Sequence, residues 1–417
     1  MRVLVLDGNE NQSLAAVRSL ASAGHDVYVG ADSSWSKAGC SRHSKGSFRY
    51  TAPQVAVDQF VARIVSKVKG HPGTLVLPMT ERTTMPLSER RDEILAAGGL
   101  MVLPPHEVVL QTFDKRRTTE LARSLGVQVP ATTVISNHHE AEVFVQTASF
   151  PVVLKPRSSE EVLADGRVLS AGAPRYAKDS TEFMAACDEM LKRSSALLVQ
   201  EFVEGRGVGY FALMQYGELR AEFAHRRIRD VRPTGSGSAL RESVSPDPRV
   251  RDASLKILHA LSWHGVAMVE FRQRDDGTPV FLEVNGRFWN SLALAIHAGV
   301  DFPALVAELA QGRDIELIDR YQQNVRCRWF LGDFRHLLEV MRGAPAGYPG
   351  KFPSRLGTLI QFLTPVRGTY HDNFSLRDPL PEFADWIDFV FRKLPAGLRR
   401  NAKNVKVANA ESRYSLS

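Results

Sequence analysis

The segment Val266-Ala267-Met268-Val269-Glu270-Phe271-Arg272-Gln273-Arg274-Asp275-Asp276-Gly277-Thr278-Pro279-Val280-Phe281-Leu282-Glu283-Val284-Asn285 holds two apolar-rich runs on either side of Asp276-Gly277. Asp-Gly is a strong two-residue hairpin signal, because glycine accepts the positive φ of a tight turn. A loop of those two residues places Glu270 opposite Glu283 and Met268 opposite Asn285. Residues opposed across an antiparallel pair share a face. Glu270, Glu283 and Asn285 are therefore expected on one face, with Val269, Phe271, Leu282 and Val284 on the other.

Facing carboxylates destabilise a hairpin unless positive charge sits between them. Carboxylate and amide oxygens suit the hard cation Mg²⁺, which keeps waters and is commonly completed by substrate phosphates. The competing reading is a solvated acidic face with Arg272 nearby. Three oxygen donors on one face, followed at once by Arg287, favour the metal.

Two further segments carry chemistry. Lys155 ends the run Pro151-Val152-Val153-Leu154-Lys155-Pro156. A lysine there either reaches water or meets an anion, since an unpaired buried ammonium is costly. The small, polar residues from Ser158 through Gly166 and Gly172 suit a mobile flap over phosphates, without a P-loop pattern. Leu197–Gly205 reads as a buried strand running into polar residues. Its terminal backbone groups suit an adenine edge, with Phe202 or Val203 against the ring, although packing alone also explains its apolar part.

Outside these segments the chain alternates strands and helices. Strands are expected at Val3–Leu6, Asp26–Gly30, Thr74–Leu77 and Leu100–Leu103, and helices at Ser13–Ala23 and about Leu87–Ala97. That order predicts a parallel, doubly wound sheet. Pro104-Pro105 marks a boundary. From Phe113 come a helix to Leu125, strands at Thr132–Ile135, Pro151–Lys155, Ala196–Val203, Val208–Gln215 and Glu218–His225, and then the hairpin. This second part reads as α+β. The first turn, Asp7-Gly8-Asn9-Glu10-Asn11, lacks the glycines of a dinucleotide site.

Composition bounds the rest. The 417 residues are 44% hydrophobic and 24% charged, which suits a folded chain of two or three units. No apolar run approaches the roughly 18 residues of a membrane span. The apolar N-terminus ends at Asp7, too soon for a signal peptide. Lys and Arg number 53 against 46 Asp and Glu, with net charge +7, which favours anionic partners. The basic residues lack the interleaved aromatics of a nucleic-acid stacking platform. Cys40, Cys187 and Cys327 have no metal or redox spacing, so a reduced, cytoplasmic setting is expected.

Together the Asp114-Lys115 pair, Lys155, Gln200-Glu201-Phe202-Val203-Glu204-Gly205, Glu270 and Glu283-Val284-Asn285-Gly286-Arg287-Phe288-Trp289 resemble the ATP-grasp superfamily. The likeness is in particular to bacterial carboxylate–amine ligases related to biotin carboxylase and carbamoyl phosphate synthase, and it covers about Met1 to Arg313. It implies an α/β and α+β chain: a Rossmann-like pre-ATP-grasp domain over 1–112, a two-part ATP-grasp unit over 113–313 and a C-terminal extension over 314–417. The resemblance implies that Lys115 and Lys155 contact ATP phosphates. Within Gln200, Glu201, Phe202, Val203 and Glu204, it implies adenine contacts by Glu201 and Val203 and ribose contact by Glu204. Glu270, Glu283 and Asn285 match ligands for Mg²⁺ (or Mn²⁺), and Arg287, with Lys155, matches the catalytic cations. The implied activity activates a carboxylate as an acyl phosphate and joins it to an amine. An ATP-dependent carboxylase, a carboxylate kinase and a non-catalytic nucleotide-binding protein are the alternatives. The flap departs from many relatives, with Pro156-Arg157-Ser158-Ser159-Glu160-Glu161 in place of a glycine cluster.

For the acceptor, continuation of the strand past His225 puts Arg227 and Arg229 on its face. Ser236 in the Gly/Ser loop and Arg241 then suit an anionic substrate. A solvated basic edge strand explains the same residues equally well. Finally, Phe383, Trp386, Ile387, Val390 and Leu394 have helical spacing ahead of Arg399, Arg400, Lys403 and Lys406. Docking on the protein's own core is the favoured expectation, and contact with an anionic membrane the alternative.

Overall fold

The computed structural model describes residues 1–156, 160–162, 168–170, 174–364 and 366–393. Strands β1 (Arg2–Val5), β2 (Asp26–Ala31), β3 (Gly46–Arg49) and β4 (Leu75–Leu77) form a parallel sheet in the order β3-β2-β1-β4. A parallel sheet is covered on both faces, which is why the continuous run Val3–Leu6 is entirely buried. The expected strand at Leu100–Leu103 is only a bridge from Leu100 to Leu75. The helix expected from Phe113 instead starts at Lys115, because the Asp114 carboxylate caps it by accepting from the Arg116 and Arg117 N–H groups.

Strands β5 (Thr132–Ile135), β6 (Val152–Pro156), β9 (Arg175–Ala177) and β10 (Leu197–Glu201) make a small antiparallel sheet ordered β5-β10-β6-β9. Between β6 and β9, β7 (Glu160–Val162) pairs with β8 (Val168–Ser170). The remainder of the expected flap lies outside the described residues. Helices His138–Val145 and Ser180–Met190 cover this sheet, with Phe144 and Phe183 packed 5.0 Å apart.

The large sheet contains β11 (Arg206–Gln215), β12 (Glu218–Arg232), β13 (Ser236–Ser243), β14 (Gly265–Gln273), β15 (Pro279–Asn285), β16 (Arg326–Arg328) and β17 (Thr369–His371). Its order is β15-β14-β11-β12-β13-β16-β17. Period-two alternation divides its side chains between two cores. Ala267, Val269 and Phe271 join Tyr210, Ala212 and helix Pro248–Ala260 on one face. Val266 and Met268 join Phe211, Phe223 and Trp289 on the other, and that core continues through Phe302 to Leu14 and Val17 of helix Asn11–Ser22. The parallel sheet and the large sheet are thereby packed through a shared core. Residues after Arg313 contribute β16 and β17 to the large sheet, and helices Phe330–Arg342, Arg355–Leu363 and Leu380–Lys393.

Candidate active site

The hairpin β14–β15 reaches the expected register by an unexpected route. Its turn is Asp275-Asp276-Gly277, one residue longer than expected. Arg274 N–H donates to Thr278 O at 3.0 Å, and Gly277 has φ +81°. A bulge then falls between the pairs Glu270–Glu283 and Phe271–Phe281, which leaves Leu282 without a cross-strand partner. The two offsets cancel, so Glu270 still opposes Glu283 and Met268 still opposes Asn285. Leu282 is the casualty. Phe281 takes the core position beside Phe271, and Leu282 lines the cleft instead.

The face that is apolar at Val266 and Met268 becomes ionic at its outer end. Lys115 Nζ lies 3.2 Å from Glu283 Oε2, and Arg227 Nη2 lies 2.6 Å from Glu270 Oε1. Asn285 donates through Nδ2 to Glu283 Oε1 at 3.2 Å and accepts through Oδ1 from Arg287 Nη2 at 3.1 Å. Across the cleft, Lys155 Nζ donates to Gln200 Oε1 at 2.7 Å. The Lys115 ammonium pulls the Glu283 carboxyl down to about 2, against the opposing effect of burial, and Glu283 in turn raises Lys115. Lys155 is pushed down to about 8, chiefly by burial and next by Lys115. Lys115 thus holds the Glu283 carboxylate ionised, while Lys155 sits at the edge of losing its charge.

The donor set is two carboxylates and one amide oxygen on adjacent strands. Among the described residues no group of three His, Cys, Asp or Glu forms a protein-only metal cage. Such a set fits an ion that takes its remaining ligands from water and phosphate, the habit of Mg²⁺ rather than Zn²⁺.

These groups line a cleft of about 500 Å³ with His225, Ser238, Trp289, Asn290 and Ser291. His225 is fully enclosed. Its Nε2 lies 2.8 Å from Ser291 Oγ, and burial, then Arg227 and Arg241, keep the ring neutral far below the usual histidine range. A second cavity of about 560 Å³ adjoins, sharing Lys155, Gln200 and Leu282. It is lined by Glu201, Phe202 and Val203 at the end of β10, and by Tyr176 and Phe352. Phe202 meets Tyr176 and Tyr348 edge-on at 6.1 and 5.9 Å. Apolar walls with a strand end form a slot for a flat ring. A smaller cavity of about 310 Å³, lined by Asn9, Lys37, Trp329, Arg335 and Asp388, shares Asn290 with the cleft.

The structure therefore brings together Lys115, Lys155, Gln200, Arg227, Glu270, Glu283, Asn285 and Arg287, and sets Glu201, Phe202 and Val203 beside them. Glu204 is exposed and lines neither cavity. Arg241 does not line the cleft. It is fully buried, pairs with Asp372 and donates to Ser238 O at 3.0 Å. It was expected among the substrate residues, but its guanidinium is taken up by Asp372 and it is not among the residues lining the cleft. Arg229 leaves the face of His225 at two irregularities in β12 and pairs with Asp333 at 2.7 Å. Ser236 begins β13, but its side chain lies outside the described residues.

Arg272 was passed over as a lining residue, although its parity with Glu270 is a legible signal. It donates to Gly205 O at 3.0 Å and lines the ring slot. Tyr176, Glu339, Arg342, Pro345 and Phe352 also line that slot, and no motif in the sequence marks them.

This architecture is an ATP-grasp fold, shared with solved structures of that kind. Residues 193–331 match the family model described as ATP-grasp in the biosynthetic pathway with Ter operon. The carbamoyl phosphate synthase large chain of Methanosarcina mazei is 23% identical over 287 residues, covering 64% of this chain and 25% of that one. Mitochondrial pyruvate carboxylase of Mus musculus is 26% identical over 259 residues, 58% of this chain and 21% of that one. The chain thus spans about a quarter or less of these relatives. Among solved structures, the biotin carboxylase domain of Hydrogenobacter thermophilus 2-oxoglutarate carboxylase, in complex with MgADP, ADP and bicarbonate, has TM-score 0.59 at 15% identity. The match covers 78% of this chain and 73% of that one. The L-amino acid ligase of Bacillus licheniformis has TM-score 0.55 at 14% identity, covering 75% and 74%.

Proposed function

We propose that this protein is an ATP-dependent ligase that activates a carboxylate as an acyl phosphate and joins it to an amine. One observation carries the reading. Glu270, Glu283 and Asn285 converge on a cleft that also holds Lys115, Lys155 and Arg287, beside a slot shaped for a flat ring. Two solved structures of similar fold, one a biotin carboxylase domain in complex with MgADP and the other an L-amino acid ligase, support the same class.

ATP would supply the phosphoryl group, and a bound Mg²⁺ would lend positive charge to its oxygens. Phe202, Val203 and the β10 strand end would hold the adenine, while Glu270, Glu283 and Asn285 would hold the ion. Lys115 and Lys155 orient the phosphates. Phosphoryl transfer depends on positioning and electrostatics more than on covalent help from the protein, which suits this concentration of fixed cations. Arg287, planar and always charged, steadies the transferring oxygens. Arg227, bridging Glu270 and Asp230, faces the acceptor carboxylate. The carboxylate oxygen bonds to the γ-phosphorus as the bond to ADP breaks. The amine nitrogen then bonds to the acyl carbon, phosphate leaves and a proton is lost. The adjoining cavity at Asn290, with Lys37, Arg335 and Asp388, offers charges of both signs for the amine substrate.

The test is a screen of acid–amine pairs for substrate-stimulated ADP release, with product mass measured. The proposal requires ADP and phosphate released together with an amide lighter by one water than its precursors. ADP formed with acid alone indicates a carboxylate kinase, product gain from bicarbonate indicates a carboxylase, and no turnover with tight ATP binding indicates a regulatory protein.

A further inference from the structure

The C-terminal helices present their apolar residues outward. Helix Arg355–Leu363 and helix Leu380–Lys393 are both seated on helix Phe330–Arg342, through Phe362 on Phe330 (5.5 Å) and Trp386 on Phe334 (5.3 Å). Those contacts use one face of each helix. On the other, Leu356, Ile360 and Leu363 follow helical spacing and are each more than half exposed. So are Leu380 and Phe383, and Leu376 on the connecting loop is 87% exposed. The favoured expectation, that the last helix buries its apolar face on the core, is corrected: Trp386 docks, whereas Phe383, Ile387 and Val390 do not. Chains that stay free in solution rarely leave two adjacent helices with outward apolar faces.

Charge is sorted in the same region. Between Lys351 and Lys393 the carboxylates are Asp372, Asp378, Glu382, Asp385 and Asp388. The first four are buried. Asp372 pairs with Arg241, Asp378 with Arg18 at 2.9 Å and Asp385 with Lys37 at 2.8 Å, while Glu382 accepts from Trp386 Nε1 at 2.8 Å. Asp388 is half-buried and lines the small cavity. The exposed charges here are Lys351, Arg355, Arg367 and Arg377, none with an ion-pair partner among the described residues. In sequence, positive charge continues past Lys393 with Arg399, Arg400, Lys403, Lys406 and Arg413 against Glu411.

We propose that this surface, built on Leu356, Ile360, Leu363, Leu376, Leu380 and Phe383 with Arg355, Arg367 and Arg377, docks the protein on an anionic lipid bilayer. A second copy of the chain would bring the same uncompensated positive charge to the interface, which disfavours it as the occupant. An acidic headgroup layer supplies both an apolar interior for the leucines and negative charge for the arginines. The helices lie on the membrane rather than across it. Among the described residues no single helix is long and apolar enough to span, and the bent pair Leu292–Ala298 and Phe302–Ala310 is largely consumed by the core. The inference is independent of the proposed ligase activity.

The test is flotation of the full-length protein with phosphatidylcholine vesicles, with and without about 30% phosphatidylglycerol. Binding at least tenfold stronger to the anionic vesicles, weakened by salt, is expected. The pair Leu363→Glu and Phe383→Glu should lower it at least tenfold, with melting temperature and circular dichroism unchanged, since both side chains are already exposed. Absence of flotation, or equal flotation with neutral vesicles, overturns the proposal. A dimer in light scattering that the same substitutions dissolve also overturns it, in favour of a second copy.

Discussion

Lys155 offers a prediction that needs no knowledge of the acid or amine. Burial and the neighbouring Lys115 hold its ammonium at about 8 rather than the usual 10.5. For a lysine, a lowered value means that charge is lost as pH rises through about 8. Roughly nine tenths of the side chains are charged at pH 7 and about one tenth at pH 9. If only the charged form meets phosphate, the dissociation constant for MgATP rises about tenfold over that interval. Bound triphosphate restores the charge, so binding near pH 8 takes up about half a proton from solution. Titration calorimetry in buffers of differing ionisation enthalpy reads both quantities. Lys155→Arg keeps its charge throughout and should flatten the profile. A flat wild-type profile between pH 7 and 9, or an unchanged limb in Lys155→Arg, refutes the assignment of Lys155 to the phosphates.

Other expected outcomes test the site and its frame. Glu283→Gln and Glu270→Gln should each lower Mg-dependent ADP formation by at least about a hundredfold with the fold retained, as seen by circular dichroism. Turnover like wild type contradicts the ligand assignment. Arg227→Gln should raise KM for the acid more than KM for ATP, and equal effects on both remove its acceptor role. Arg241→Gln should instead destabilise the chain by about 3–5 kcal/mol in denaturant unfolding, because it strands the buried Asp372. Gly286→Ala places a methyl 2.4 Å from Cη2 of the fully buried Trp263 and should cost about 1–3 kcal/mol, while Gly99, away from the site, makes a matched control for ATP affinity.

The hairpin shows how much of the site was legible from sequence. Period two and one Asp-Gly dipeptide sufficed to pair Glu270 with Glu283, although the turn length and the bulge were both missed. The offsets have opposite sense, so the acidic positions were insensitive to either, and only Leu282 between them was misplaced. Arg241, expected among the substrate residues, does lie opposite Arg227 in the backbone register. What parity cannot reveal is that Asp372, remote in sequence, claims the guanidinium. The same limit hid the ring-slot residues from Glu339 to Phe352, which reach the slot only through tertiary packing. The last helix failed for a related reason. Its spacing correctly announced an apolar face, but spacing does not tell whether that face turns toward the protein or away from it.

The account stands or falls on one divalent ion shared by neighbouring strands. A crystal structure with Mg²⁺ and a non-hydrolysable ATP analogue measures this directly. The account predicts one ion within about 2.0–2.2 Å of oxygens from both Glu270 and Glu283, bridged to the phosphates, with the contact from Lys115 to Glu283 given up to the ion. An ion bound away from both carboxylates, with Lys115 still paired to Glu283 and Arg227 to Glu270, would contradict it.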